Sequence, residues 1–350
     1  MRSNARQISL LSPAVGTGNV GDHFIEAAVR RMLREDVVYR CFSIRKPLSA
    51  SDLDQVNRTS CALICGTNLY QHDWESALTP SMLDRITVPV IPFGVGSSAA
   101  SLDETLVSEQ TRTMIRAIHE RCILGSVRDG HAARVVERAG VKNFVVTGCP
   151  VLFWAGAGEL PPISARPRQR LVLTARNWLM HRWPDNVDHP VQIELLRRIF
   201  RRFAPSRPIF AVHEDFDRRL IDLLQVPADS LVDASDPRRY VELYSDPDNV
   251  VLALRLHAGM LARANGVPAI FVGHDTRTYA FCDLLGIECI DLFAPNSTDR
   301  CIQLINAAMR SDPAFEPRAG EVFARLGDSM HRFLAANELP FKDFTERSAA

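Results

Sequence analysis

The strongest chemical signal in the sequence lies in "NVVLALRLHAGMLARANGVPAIFVGHDTRTYAFCDLLGI", where Arg255 and His257 close an apolar run just before a helical pattern. Two residues apart at the end of a strand, their side chains would share one side. A fixed guanidinium, a titratable imidazole and the unbonded amides of a helix start together suit an anionic substrate that also needs a proton moved. A lone histidine is more often structural; the pairing with arginine at a strand end favours function. Arg176 in "LTARNW" and His213 in "FAVHEDFD" close similar runs and are expected on neighbouring strands, where they would complete the anion clamp. The alternative for both is a charge on a surface loop, worth little to stability. Arg128 in "SVRD" is expected to pair with Asp129.

A second signal is "AVGTGNVGDHFIEAAV", with glycines at 16, 18 and 21 in the spacing G-x-G-x-x-G. A dinucleotide fold also needs an acid closing the next strand, about 20 residues on, to take the ribose hydroxyls. The next run, "VVYRCFSI", leads instead into Arg45 and Lys46, a pair that suits only the extra phosphate of NADP. Asn19 and Asp22 flank the last glycine, and a carboxylate in the first helical turn repels a pyrophosphate. Asp22 also fits a purely structural role, favoured there by the helix dipole, and the glycines fit a sharp turn.

These residues need elements to hold them. Six short apolar runs, "ISLLSPAV", "VVYRCFSI", "CALICGT", "PVIPFGVG", "ILGSVRD" and "FVVTGCP", alternate with helical patterns and predict βα units around a parallel sheet. One predicted helix lies in "SLDETLVSEQTRTMIRAIHERC", with Leu102, Leu106, Met114, Ile115 and Ile118 along one side. The stretch "WAGAGELPPISARPRQ", Trp154 to Gln169, breaks the rhythm as an interdomain crossing would. Beyond it the alternation resumes with "RLVLTARNW", "RPIFAVHE", "NVVLALRLH", "PAIFVGH" and "ECIDLF". The expectation is an α/β protein of two Rossmann-like domains, residues 1–158 and 168–315, with parallel sheets facing a cleft. A terminal helix, within 316–345, would pack back across them. The polar residues closing the strands are the ones a ligand would meet: Gly66-Thr67-Asn68, Gly94 to Ser98, Arg128-Asp129, Arg176-Asn177, His213-Glu214, Arg255 to His257 and His274-Asp275.

Composition narrows the classes. The 350 residues exceed one ordinary core, and 46% hydrophobic with 23% charged residues marks a folded globular chain. Lys plus Arg and Asp plus Glu each total 41, so no global field favours nucleic acid and an anion must be gripped locally. The eight cysteines lack the close pairs of a zinc site or disulfide framework, which points to reduced, buried thiols. His72, Asp73 and His181 lack partners at ligand spacing, so no metal is expected. No run approaches a membrane span, and the start lacks a signal core, so a cytoplasmic location is expected. The arginines of "IELLRRIFRRFAPSR" suggest either a solvated face or peripheral contact with an anionic membrane.

The chain resembles the polysaccharide pyruvyl transferase family over most of its length. The resemblance is carried by "GNVGD", "LICGTNL", "PVIPFGVG", "GSVRDGHAARVVERAGV", "VTGCPVLFW" and above all "RLHAGMLARANGVPAIFVGHDTRTYAFCDLLGI". It implies a GT-B-like architecture and transfer of the pyruvyl group of phosphoenolpyruvate onto a sugar of a cell-surface polysaccharide or its lipid-linked precursor, as a ketal. Arg255 and His257 would then be catalytic, with Arg255, Arg176 and His213 binding the donor and Asn19, Asp22 and Asn68 the acceptor. Phosphoenolpyruvate would be a co-substrate, with no further cofactor. The sequence departs from the family pattern at Cys149, where an aspartate is usual, and at His274 and Arg277, where tyrosine and lysine are common. Two other readings stay open: a GT-B glycosyltransferase using a nucleotide sugar, and a non-catalytic glycan-binding protein.

Overall fold

A computed structural model describes residues 6–99, 101–156, 160–176, 189–233, 236–312 and 319–342. The chain forms two compact units, one of Met1–Thr17, Ile25–Glu159 and Phe323–Ala350, the other of Gly18–Phe24 and Leu160–Val322. The boundaries therefore differ from 1–158, 168–315 and 316–345 in two places. Residues 18–24 cluster with the second unit, because the Val20 N–H donates to the His213 carbonyl at 3.0 Å and the Phe24 ring meets those of His213 and Tyr244 edge-on. The terminal helix joins the first unit from Phe323 onward.

In chain order the first unit contains β1 (Gln7–Ser12), α1 (Val20–Met32, its first turn in the second unit), β2 (Val38–Ser43), α2 (Ala50–Asn57), β3 (Ala62–Cys65), β4 (Asn68–Gln71) and α3 (Pro80–Arg85). There follow β5 (Val90–Phe93), β6 (Gly96–Ser98), α4 (Glu109–His119), β7 (Gly125–Val127), α5 (Gly130–Arg138) and β8 (Phe144–Val146). The central sheet is parallel in the order β2-β1-β3-β5, with β7 and β8 pairing beside it through a Val95–Val127 bridge. Every residue of β3 and β5 is buried, which is why these runs are unbroken apolar stretches. All six expected strands are present, and β4 and β6 form an additional pair.

Helix α4 is shorter than its sequence pattern: Ser108 caps it, Met114, Ile115 and Ile118 are buried, and Leu102 and Leu106 precede it, Leu106 being exposed. The cap wins because the Ser108 hydroxyl accepts the Thr111 N–H.

The second unit runs β9 (Arg170–Thr174), α6 (His189–Arg202), β10 (Ile209–Ala211), α7 (Asp215–Leu224), β11 (Leu231–Val232), α8 (Pro237–Ser245), β12 (Asn249–Ala253), α9 (Leu256–Ala264), β13 (Ala269–Gly273), α10 (Thr276–Leu285), β14 (Cys289–Asp291) and α11 (Ser297–Arg310). Its parallel sheet has the order β11-β10-β9-β12-β13-β14. This is the doubly wound order in which strand succession reverses between the first and fourth strands, here β9 and β12, and a ligand crevice opens beyond their carboxyl ends. On α6, Arg197 pairs with Glu194 and Arg198 with Asp299, so half of the expected basic face is neutralised within the unit.

Helix α12 (Ala319–Ala336) covers the first unit's core: Phe333 stacks on Phe93 at 5.1 Å and Phe323 packs on Phe153. Among the described residues, no helix is long and apolar enough to cross a membrane.

One buried histidine gives the first unit a pH signature. His119 lies at the end of α4, with Tyr70 Oη 3.0 Å from Nε2, and burial pushes its pKa down to about 4. The unfolded chain, with an ordinary histidine near 6.5, binds a proton that the native imidazole refuses. This contribution to stability is therefore complete above about pH 6.5 and is lost as pH falls toward 4. The loss is on the order of 3 kcal/mol for a shift of this size. His119→Gln should flatten the decline in chemical-denaturation stability between pH 6.5 and 4 relative to the wild-type chain; parallel pH profiles for the two would contradict the assignment.

Candidate functional site

The carboxyl ends of β9, β10, β12 and β13 carry Arg176, His213-Glu214, Arg255 and His274-Asp275, one polar group per strand. Strand β12 ends earlier than the sequence pattern implies, at Ala253. Arg255 is the N-cap of α9 and His257 sits in its first turn, so the two are placed by a helix start and not by strand alternation. The turn is fixed from β9, where the Thr174 hydroxyl accepts the N–H groups of both Leu254 and Arg255.

Arg255 is buried and its guanidinium is held at Nε and Nη2. Nε donates to the Ala175 carbonyl at 3.1 Å; Nη2 donates to Asp217 Oδ2 at 2.6 Å and to Glu214 Oε2 at 3.2 Å. Burial alone would lower its pKa, but the Asp217 and Glu214 carboxylates outweigh that and raise it, so the cation is permanent. Asp217 has no exposed surface, and it also accepts the Glu214 N–H at the start of α7.

Arg176 is not a surface loop charge. It is buried, with Nη1 3.1 Å from Asp275 Oδ2 and its own backbone bonded to the Gln192 amide. Burial lowers its pKa, only partly offset by Asp275, and nearby Arg255 lowers it further. Asp275 caps α10 and draws in Arg277 and His274, whose Nε2 lies 3.3 Å away. Burial would raise the Asp275 pKa, but His274 and Arg176 bring it to about 2, so it is a carboxylate at any working pH. The departures at 274 and 277 thus build one cluster around a single acid.

His213 is likewise buried, and it is not a cation. Its Nε2 lies 2.6 Å from Tyr244 Oη inside a box of Phe24, Tyr240 and Tyr244 rings. Burial, then the charges of Arg255 and His257, hold its pKa well below 6.5. Of the three residues expected to bind a donor, Arg255, Arg176 and His213, two are thus buried guanidiniums paired with carboxylates and His213 is a neutral group beside them.

The glycine-rich loop belongs to this same site. The Asn19 side chain accepts the Gly21 N–H at 3.0 Å, and a Cβ on Gly21 would lie 2.8 Å from His257 Nδ1. Asp22 is buried in the first turn of α1, its N–H bonded to the Asn19 carbonyl. The three glycines have separate roles: Gly16 has φ of +79°, Gly18 meets nothing within 4 Å, and Gly21 allows close approach to His257. In the first unit, Arg45 donates to the Pro13 carbonyl and Lys46 lies against Gly16, so the basic pair serves the turn after β1.

The second unit thus brings together Asn19, Asp22, Arg176, His213, Arg255 and His257. Asn68 is in the first unit, opening β4, with Oδ1 buried and unbonded among the described residues. Arg128 pairs with Asp129 at 3.0 Å as expected, and its guanidinium covers Gly96. Cys149 is buried beside that pair; burial raises its thiol to about 11 despite Arg128. Asn177, the other residue singled out after β9, lies outside the described residues. The sequence reading missed Asp217 and Tyr244; the acidic spacing in "HEDFD" after β10, a helix-capping pattern, was the available signal for Asp217.

Two Rossmann-like units with strand-end polar sites make this an α/β protein of the GT-B fold. The sequence profile for polysaccharide pyruvyl transferase matches residues 19–276, most of the chain, and the protein belongs to that transferase family. Solved structures similar in fold include a UDP-GlcNAc 2-epimerase of Methanocaldococcus jannaschii in complex with UDP-GlcNAc and UDP, 10% identical, TM-score 0.54, covering 94% of this chain and 99% of that one. Another is a putative UDP-N-acetylglucosamine 2-epimerase of Listeria monocytogenes, 10% identical, TM-score 0.55, covering 97% and 99%. The Neisseria meningitidis UDP-GlcNAc 2-epimerase bound to UDP-GlcNAc is similar at 10% identity and TM-score 0.52, covering 95% and 100%. No curated protein sequence matches the chain.

The packing of Gly21 on His257 is directly testable. Gly21→Ala must displace the imidazole, because 2.8 Å is closer than a Cβ can approach. In 15N-histidine-labelled protein the His257 ring signals should move while those of His119, in the other unit, stay; unmoved His257 signals would contradict the contact.

Proposed function

We propose that the protein transfers the pyruvyl group of phosphoenolpyruvate onto a sugar of a cell-surface polysaccharide or its lipid-linked precursor, forming a ketal. The observation that carries this reading is the placement of Arg255, Arg176 and His257 around the strand reversal of the second unit, beside the amides that open α9. Phosphoenolpyruvate presents a phosphate and a carboxylate, the anions that guanidiniums and helix starts bind best. Protonated His257 gives its proton to the methylene carbon, leaving an oxocarbenium-like centre at C2. A sugar hydroxyl adds there and its proton restores His257; a second hydroxyl then displaces phosphate, which leaves with that hydroxyl's proton as the ring closes.

Within this reading His213 shapes the donor pocket as a neutral group, and Asn19 and Asp22 contact the acceptor. Asn68 keeps its assignment to acceptor binding on the first unit. Phosphoenolpyruvate serves as co-substrate with no further cofactor, and the reaction takes place in the cytoplasm with the acceptor at the inner membrane surface. A nucleotide-sugar reaction is the second reading, since the similar Methanocaldococcus jannaschii structure holds UDP-GlcNAc and UDP and the Neisseria meningitidis one UDP-GlcNAc.

Thermal-shift measurements separate the two. Phosphoenolpyruvate is expected to raise the melting temperature of the wild-type chain and to lose that effect in Arg255→Gln. Stabilisation by UDP-GlcNAc but not by phosphoenolpyruvate would overturn the preferred reading.

A further inference from the structure

The two carboxylates on Arg255 are not equivalent. Asp217 has a side chain with no exposure and offers both oxygens to Nη2; Glu214 is 14% exposed and offers one, at 3.2 Å. Asp217 is locked in the interior, while Glu214 is the N-cap of α7, its partly exposed carboxylate also accepting the Asp217 N–H in a capping box that a donor displacing it would have to break.

The formal charges at the strand ends also balance. Arg176, Arg255 and Arg277 face Glu214, Asp217 and Asp275, and each carboxylate is paired with at least one of those guanidiniums. A multiply charged anion entering such a cluster meets a carboxylate already on the guanidinium it needs, and like charges at that distance repel strongly in a buried setting.

We propose that Glu214 occupies on Arg255 the place an anionic donor takes, and that donor binding displaces it while Asp217 holds the guanidinium still. The inference rests on an anionic donor at this site and adds the residue that sets its affinity. Glu214 is then a built-in competitor: it satisfies the buried cation in the empty site and leaves when a stronger anion arrives. A merely structural Glu214 predicts the opposite response to its removal, because loss of the contact would loosen Arg255.

The test is calorimetric titration of the wild-type chain, Glu214→Gln and Asp217→Asn with phosphoenolpyruvate and, separately, with inorganic phosphate, after melting curves confirm folding. Glu214→Gln should bind both anions about tenfold more tightly, the scale of one charge-assisted contact. Asp217→Asn should bind them more weakly, and if that variant fails to fold, Glu214→Gln alone decides. Phosphoenolpyruvate binding to the wild-type chain that is unchanged or weaker in Glu214→Gln would overturn the proposal and leave the donor reading intact. Tighter phosphate binding in Glu214→Gln, with no phosphoenolpyruvate binding by any of the proteins, would support the competitor and sink the donor reading. Failure of every protein to bind either anion would overturn both.

Discussion

A permanently charged guanidinium buried where a parallel sheet reverses direction is the constraint on which the second unit is built. Left unpaired, Arg255 would carry a desolvation penalty of several kcal/mol. The chain meets that cost with Asp217 and Glu214 from the first turn of α7 and with the Ala175 carbonyl from the end of β9. Those partners follow β9 and β10, so the ion pairs also fix how the loops after β9, β10 and β12 converge. The same bonds that satisfy the charge hold the start of α9, whose first turn places His257 against Gly21.

The glycine-rich loop depends on that arrangement. Val20 is tied to the His213 carbonyl, His213 is held neutral by burial and the charges of Arg255 and His257, and Phe24 closes the aromatic box around it. With α1 anchored in this way, Gly21 lies so close to His257 that no side chain fits between them. A loop that spells a phosphate-binding fingerprint is thereby used to seat an imidazole. Two of its glycines answer to local geometry, Gly16 through a positive φ and Gly21 through its approach to His257.

Much of the fold was legible because central parallel strands buried on both faces, such as β3 and β12, are unbroken apolar runs, and all eleven runs read from the sequence became strands, the largely exposed edge strand β2 included. Helix ends and unit membership were less so. Leu106 continues an apolar pattern yet lies outside α4, since the Ser108 cap sets the start locally. Residues 20–24 open a helix that continues without a break to Met32, and nothing in its periodicity reveals that Phe24 packs among His213, Tyr240 and Tyr244, more than 180 positions away. The candidate cations and two of their counter-charges, Glu214 and Asp275, were visible at strand ends, whereas Asp217 and the pairings themselves were not. Whether an arginine at such a position is exposed or buried against an acid depends on contacts between distant loops, as with Arg176 and Asp275.

Pyruvyl transfer from phosphoenolpyruvate leaves a chemical trace that no nucleotide-sugar reaction shares: the enol carbon becomes a quaternary ketal carbon as phosphate departs. The most direct measurement is NMR of phosphoenolpyruvate labelled with 13C at C2, incubated with the purified protein and a glycan fraction from the producing cells. Conversion of the enol signal into a ketal signal attached to sugar, with matching release of phosphate and no conversion by His257→Gln, is the predicted result. An unchanged phosphoenolpyruvate spectrum alongside release of UDP from an added UDP-sugar would contradict it.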